Sequence, residues 1–182
     1  MNLTVKNVRL AFPDLHKPSQ KYNKFGGSFA IVPNSENAKL LAEAVAKTAK
    51  DKWGAKADAI LANIKAKGDL GYLESPKKNS EGEVYDGFEG MFTLNASSDT
   101  KPPVIDRDTS PLGPESGKPY GGCYVDISVN IWAQDNSWGK KINFQLRWVQ
   151  FRADGAAFSG AAPASPDEFE SIADGADAES LV

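Results

Sequence analysis

The sequence is poor in the residues on which catalytic and metal sites are most often built. Cys123 is the only cysteine and His16 the only histidine among 182 residues. A single cysteine excludes an intramolecular disulfide and a cysteine-based metal cluster, and Cys123 is predicted to be a small buried hydrophobe. For a Ser-His-Asp or Cys-His catalytic arrangement, His16 is the only candidate histidine. We therefore expect no metal, no cofactor and no catalysis.

Long apolar segments are also missing. No uninterrupted run approaches the roughly 18 apolar residues of a membrane span, and the N-terminal "MNLTVKNVRL" lacks the charged-then-apolar layout of a signal peptide. Hydrophobic residues make up 41% and charged residues 25% of the chain, values normal for a globular domain. We expect a cytoplasmic protein that has no contact with membranes.

Basic residues are absent from the C-terminal part of the chain. Residues 1–152 contain all 21 basic residues and 17 acidic ones, a charge of about +4, whereas residues 153–182 carry −7. This division predicts a binding domain over 1–152 and a flexible acidic interaction tail over 153–182. The acidic residues of the tail are Asp154, Asp167, Glu168, Glu170, Asp174, Asp177 and Glu179. The apolar Phe169 lies among them and belongs to the same predicted partner-binding segment.

Hydrophobic periodicity predicts several strands and one helical insertion. In "LTVKNVRLAF" the apolar positions change phase at Asn7, which indicates a strand with a bulge there and turns Phe12 inward. The stretches "SFAIV" and "FEGMFTLNAS" are also typical of strands. Residues 35–67 change to the helical period, and Gly54 and Gly68 stand where helices end, so we expect helices at about 36–53 and 55–66.

The strongest hairpin pattern is "YGGCYVDISVNIW", residues 120–132, followed by "QDNSWG" and "KKINFQLRWVQF". Alternation places one apolar set of each strand inward. In the first strand this set is Cys123, Val125, Ile127, Val129 and Ile131, and in the second it is Ile142, Phe144, Leu146 and Trp148. The opposite face then carries aromatic rings, amides and cations together.

Rings that alternate with amides and cations suit a single-stranded nucleic acid, because bases stack on the rings and phosphates pair with the cations. The candidate stacking residues are Tyr124, Trp132 and Trp138, with Tyr22, Phe25 and Tyr120 on loops. The candidate phosphate contacts are Lys21, Lys24, Arg107, Lys118, Lys140, Lys141 and Arg147.

Two other interpretations stay open at this point. The outward rings are equally suited to burial under the helical insertion or against a partner protein, as in a replisome or virion assembly module without affinity for nucleic acid. Alternatively, Asp106, Asp108 and Asp126 gather around a metal as in a nuclease, although two aspartates in a proline-rich loop are a weak signal.

The chain resembles a known family, the single-stranded DNA-binding proteins of tailed bacteriophages that have an OB fold and an acidic C-terminal tail. The resemblance lies in "RLAF", "FEGMFTLNASSDTKPPVID", "YGGCYVDISVNIWA" and "GKKINFQLRWVQFRADGAAFSG", in this order, before an acidic end. Together these features span residues 3 to about 160.

The resemblance implies a mostly β fold, an OB-fold-like antiparallel barrel of about five strands with the helical insertion at about 35–67. It implies nonspecific binding of single-stranded DNA during phage replication and recombination, with the "KPPVID" loop and the strands around Tyr124 and Arg147 bordering the DNA. The tail would recruit replication or recombination proteins and compete with DNA. Monomer and side-by-side homodimer remain equally open, as does a preference for DNA over RNA.

Overall fold

The computed structural model describes residues 1–158, in which seven strands and two helices follow one another. The strands are β1 (Asn2–Asp14), β2 (Phe25–Ile31), β3 (Tyr72–Leu73), β4 (Phe92–Ser98), β5 (Val104–Ile105), β6 (Tyr124–Asn136) and β7 (Gly139–Ala153), and the helices are α1 (Glu36–Trp53) and α2 (Ala57–Lys67). The expected partner-binding residues Asp167, Glu168, Phe169, Glu170, Asp174, Asp177 and Glu179 lie outside the described residues.

Five of these strands close into a barrel. Their order is β4-β2-β1-β6-β7, and β7 returns to pair with β4. All neighbours are antiparallel except at the closing contact, which is parallel and places Ser97 of β4 opposite Gln145 of β7. This is the five-stranded barrel of the OB fold. The predicted fold class, a mostly β, OB-fold-like barrel with a helical insertion, is confirmed.

The barrel core comes from the alternation seen in the sequence. Val125, Ile127 and Val129 of β6 are fully buried, as is Cys123 just before the strand. The predicted hairpin is present, and β6 pairs with β7 along its whole length as far as the turn at Asn136 and Gly139. Burial of one face of each strand therefore fixes which residues remain outside.

The bulge predicted in β1 is confirmed, and a second irregularity follows it. Asn7 has a φ of 55°, and the pairing with β6 shifts between Val5 and Val8. The pairing with β2 then shifts between Ala11 and Asp14, where Phe12 has a φ of 51° and is 49% exposed. The prediction that Phe12 points inward is wrong, because each bulge reverses the alternation beyond it.

A bulge in the hairpin has the same effect on Trp148. The register shifts between Ser128 and Val129, so that Ser128 faces Trp148 while Val129 faces Leu146. Trp148 is therefore only partly buried, and the buried set resumes at Val149. The prediction that Trp148 continues the inward set is wrong for this reason.

The helical insertion follows its sequence signals closely. The Ser35 side chain accepts a hydrogen bond from the backbone N–H of Ala38 at the start of α1, and Gly68 ends α2 in the left-handed conformation. Leu41 of α1 and Ile64 of α2 are buried in the same core as the barrel strands. Neither helix in this part of the chain is long and apolar enough to cross a membrane.

The barrel core predicts that alanine substitutions at two positions close together in the chain lower the free energy of unfolding by very different amounts. Phe29 in β2 is fully buried, whereas Val32 just after β2 is 56% exposed. Phe29→Ala is expected to lower the free energy of unfolding by about 3–5 kcal/mol, and Val32→Ala by about 0.5 kcal/mol or less. Urea unfolding measures both, and equal losses would contradict the assigned core.

Candidate nucleic-acid interface

An open cleft of about 640 Å³ lies over β2 and β4, beside the contact that closes the barrel. We call this space the cleft. Its floor consists of Gly26, Gly27 and Ser28 of β2 with Asn95, Ala96 and Ser97 of β4. Its sides carry Phe12, Asp14, Ser19, Tyr22, Lys24 and Phe25 from the β1–β2 region, Lys77 and Tyr85 from the loop before β4, and residues 68–71 with Lys141, Asn143 and Phe144.

Glycines keep the floor of the cleft low. A Cβ on Gly26 would collide with the backbone carbonyl of Ala96 on the neighbouring strand. A Cβ on Gly71 would lie 2.8 Å from the ring of Phe144. Such close approaches accept glycine only. On the floor itself the Ser28 hydroxyl donates to the Asn95 Oδ1 at 2.7 Å, which leaves a shallow polar surface between the walls.

Exposed aromatic rings stand at the side of the cleft. Tyr22 is 68% exposed, and Phe12 is held edge-on against Tyr85 with 4.8 Å between ring centroids. The Lys21 ammonium lies 5.1 Å from the centroid of the Tyr22 ring. Large apolar rings exposed in a depression are available to stack on a planar ligand.

Three lysines bring positive charge into the cleft. The Lys24 ammonium lies 3.3 Å from a carboxylate oxygen of Asp99, and that of Lys141 lies 3.2 Å from Asp69. Lys77 Nζ donates instead to the Asn95 Oδ1 at 3.3 Å. These ion pairs are partly exposed and therefore weak enough to exchange for another anion.

Residues 132–141, which we call the arm, continue the cleft toward the hairpin turn. Trp132 is 43% exposed and faces Asn143, which lines the cleft. Trp138 at the turn is 84% exposed. The predicted sharing of one face by Trp132 and Lys141 is confirmed by the register of the hairpin, in which Lys141 faces Gln134.

The arm is attached to the helical insertion through Asp135. Trp53 at the end of α1 donates from its indole N–H to Asp135 at 2.8 Å, and Lys140 donates to the other carboxylate oxygen at 2.6 Å. Hydrogen bonds from Lys140 and Trp53 hold the pKa of Asp135 below its usual value. The insertion thus supports the arm and leaves Trp132 uncovered.

The remaining sequence-predicted residues lie elsewhere. Tyr124 precedes Trp132 by eight positions on β6, about 26 Å at the rise of a strand. Arg147 lies between them and approaches the Ser128 hydroxyl at 3.5 Å. Lys118 and Arg107 both stand over the Phe151 ring, at 4.8 and 5.8 Å from its centroid.

Tyr120 and Tyr124 contact residues 154–158, which we call the strap. The Tyr120 hydroxyl donates to Asp154 at 2.6 Å, and burial together with this carboxylate raises the pKa of Tyr120 to about 12. The Arg9 guanidinium carbon lies 4.2 Å from the centroid of the Phe158 ring, and the same guanidinium donates to the Ala156 carbonyl at 2.7 Å. The chain that enters the acidic segment is therefore fixed to the barrel as far as Phe158.

The structure thus divides the predicted site into two groups. Tyr22, Phe25, Lys24 and Lys141 line the cleft, Lys21 stands beside it, and Trp132, Trp138 and Lys140 follow on the arm. Tyr120, Tyr124, Arg107 and Lys118 lie toward the strap, with Arg147 in between.

Among the aromatic, cationic and amide side chains that line the cleft, sequence reasoning did not assign Phe12, Lys77, Tyr85 or Asn95 to the site. The available signal was an aromatic close to two lysines in the otherwise polar stretch "SPKKNSEGEVYDG". Asn95 was visible as the outward neighbour of two inward strand positions. Phe12 had no such signal, because only the backbone reversal beside it turns the ring outward.

The three aspartates considered for a metal site have other partners. Asp126 accepts from Arg152 at 3.0 Å and from the backbone N–H of Asn7 at 2.7 Å. Asp108 accepts from the backbone N–H of Ser110 at 3.0 Å, and Asp106 from that of Arg107 at 2.7 Å. Within residues 1–158 no three side chains of His, Cys, Asp or Glu are grouped so as to hold a metal ion.

Comparison with known proteins finds the same architecture in phages. The protein p50 of Acyrthosiphon pisum secondary endosymbiont phage 1 is 35% identical over 182 residues, covering 94% of each chain. The solved single-stranded DNA-binding protein from bacteriophage Enc34 in complex with ssDNA is 25% identical, with a TM-score of 0.68 over 87% of this chain and 89% of that one.

A more distant structure shares the fold. Gp2.5, a single-stranded DNA-binding protein encoded by bacteriophage T7, has a TM-score of 0.57 at 15% identity, over 97% of this chain and 99% of that one. The family model described as "Enterobacter phage Enc34, ssDNA-binding protein" matches residues 1–181. Because the family model matches almost the whole sequence and the barrel with its cleft agrees with it, the chain belongs to the family of the phage Enc34 ssDNA-binding protein.

Proposed function

We propose that this protein binds single-stranded DNA without sequence preference and without catalysis, during replication and recombination of a phage genome in the host cytoplasm. Bases stack on exposed rings, and lysines neutralise phosphates. The acidic tail recruits replication proteins and competes with DNA for the basic surface.

The observation that carries this proposal is the cleft itself. Exposed rings and lysines stand around a glycine-lined polar floor on β2 and β4, the part of an OB fold that commonly receives oligonucleotides. The related Enc34 protein, solved in complex with ssDNA, supports the same ligand. The buried core of a protein interface is depleted in charged residues, lysine among them, whereas the cleft carries Lys24, Lys77 and Lys141.

The path we propose runs through the cleft and along the arm. Tyr22, Phe25, Trp132 and Trp138 supply stacking surfaces there, and Lys21, Lys24, Lys140 and Lys141 supply charge. Tyr120, Tyr124, Arg107, Lys118 and Arg147 form a second stretch that a longer strand reaches. The two stretches together account for all of the candidate residues.

A gel shift with end-labelled single strand and duplex separates the three classes of function. We expect a shifted, intact single strand, with or without magnesium, and a much weaker shift of the duplex. An assembly module without affinity for nucleic acid would shift neither strand. A nuclease would remove the labelled strand when magnesium is added.

Stacking predicts a loss that is independent of the base. Tyr22→Ala and Trp132→Ala are each expected to weaken binding to poly-dT and poly-dA alike, by ~1–3 kcal/mol. Tyr22→Phe and Trp132→Phe keep a ring and serve as controls that should bind nearly as the parent does. Fluorescence titration measures all four, and an unchanged affinity of an alanine variant removes that residue from the path.

The proposed role of the tail predicts a salt-dependent gain. A chain ending at Phe158 keeps the strap and loses residues 159–182, which carry six acidic residues. It is expected to bind poly-dT more tightly than the full chain. The gain should be larger at low salt, because added salt screens the electrostatic competition between the tail and DNA. A full-length variant with these six residues changed to amides should show the same gain. Equal affinity of all three at low ionic strength would leave partner recruitment as the tail's role.

A further inference from the structure

The lysines of the cleft differ in what already neutralises them. Lys24 and Lys141 each stand against a carboxylate, at 3.3 and 3.2 Å. Among residues 1–158 no carboxylate lies within salt-bridge distance of Lys77. A phosphate that reaches Lys24 or Lys141 meets a cation that a carboxylate already partly neutralises, whereas one that reaches Lys77 does not.

Lys77 is also less solvated than a surface lysine. Its side chain is partly buried at the side of the cleft, with its ammonium 5.8 Å from the centroid of the Phe12 ring and 3.3 Å from the Asn95 Oδ1. Burial lowers the pKa of Lys77 below its ordinary value, although the neighbouring Tyr22 acts in the opposite direction. A partly desolvated cation without an anion gains more from a ligand phosphate than one that water still surrounds.

The backbone that carries Lys77 is held in place before any ligand arrives. The Tyr85 N–H donates to the Lys77 carbonyl at 3.0 Å, and Lys78 bridges Val84 in antiparallel fashion. A few residues on, Phe88 is fully buried against Ala11 and Ala30. An ammonium on such a support loses little further freedom when it meets a phosphate.

We infer that Lys77 is the principal phosphate contact of the cleft, with one backbone phosphate of the strand seated on its ammonium between Phe12 and Asn95. Lys24 and Lys141 contribute less, because a neighbouring carboxylate already neutralises part of the charge of each. This inference rests on the proposed binding of single-stranded DNA and names the residue that supplies its main charge contact.

Lys78 provides a matched control for the test. It is the next residue of the same loop and carries the same charge, but it is exposed and does not line the cleft. Full-length Lys77→Met and Lys78→Met proteins are titrated with a fluorescent dT oligonucleotide over a series of salt concentrations. The two variants alter the overall charge of the protein equally, so any difference reports the local contact.

Lys77→Met is expected to bind about tenfold more weakly than the parent at low salt, in keeping with a charge-assisted hydrogen bond. The magnitude of the slope of log K against log salt should fall by about 0.7, the value for one phosphate of a single strand. Lys78→Met should stay within about twofold with its slope unchanged. Lys77→Arg keeps the charge and should keep the slope of the parent.

The outcomes separate this inference from the function on which it rests. A parent protein that fails to bind dT at low salt overturns both. A parent that binds, with Lys77→Met and Lys78→Met equally affected or both unaffected, overturns only the role of Lys77. Thermal unfolding is followed in parallel, because a loss of affinity with a lower midpoint and an unchanged slope would make Lys77 structural and overturn the inference. If Lys77→Met does not fold, Lys77→Gln takes its place with the same expected values.

Discussion

The pairing of β4 with β7 is the contact on which the rest of the structure depends. It closes the barrel at Ser97 and Gln145 and so leaves the core strands without free edges. The same contact brings the β7 side chains of Lys141 and Asn143 beside Asn95 of β4. Without it the cleft would lose one of its walls, and the barrel would open into a sheet in which the hairpin stays attached only through the pairing of β6 with β1.

The barrel supplies rigidity, and the segments between its strands supply the chemistry. Tyr22 and Lys77 come from two connections that are far apart in the sequence, yet both line the same cleft. The loop that carries Lys77 is anchored by the buried Phe88, and the arm is anchored by the contact of Asp135 with α1. Function on a rigid support with preorganised side chains requires less ordering when a ligand binds.

Local patterns predicted most of the elements, and pairings between distant residues produced the remainder. Alternation located the buried face of β6, and Gly54 and Gly68 marked helix ends, because strand period and capping depend on nearby residues only. Phe12 and Trp148 were misplaced, since a bulge depends on the partner strand. The cleft as a whole was not predicted, because it forms only when β4 pairs with β7. No local sequence pattern indicates that pairing.

The cleft is open to solvent along one side and is not a tunnel. A polymer can therefore enter it laterally, at any internal position, without threading an end. Release can occur in the same way, by lifting one short stretch of chain at a time. For a protein of this shape, a gap flanked by duplex on both sides and a closed circle are as accessible as a linear fragment.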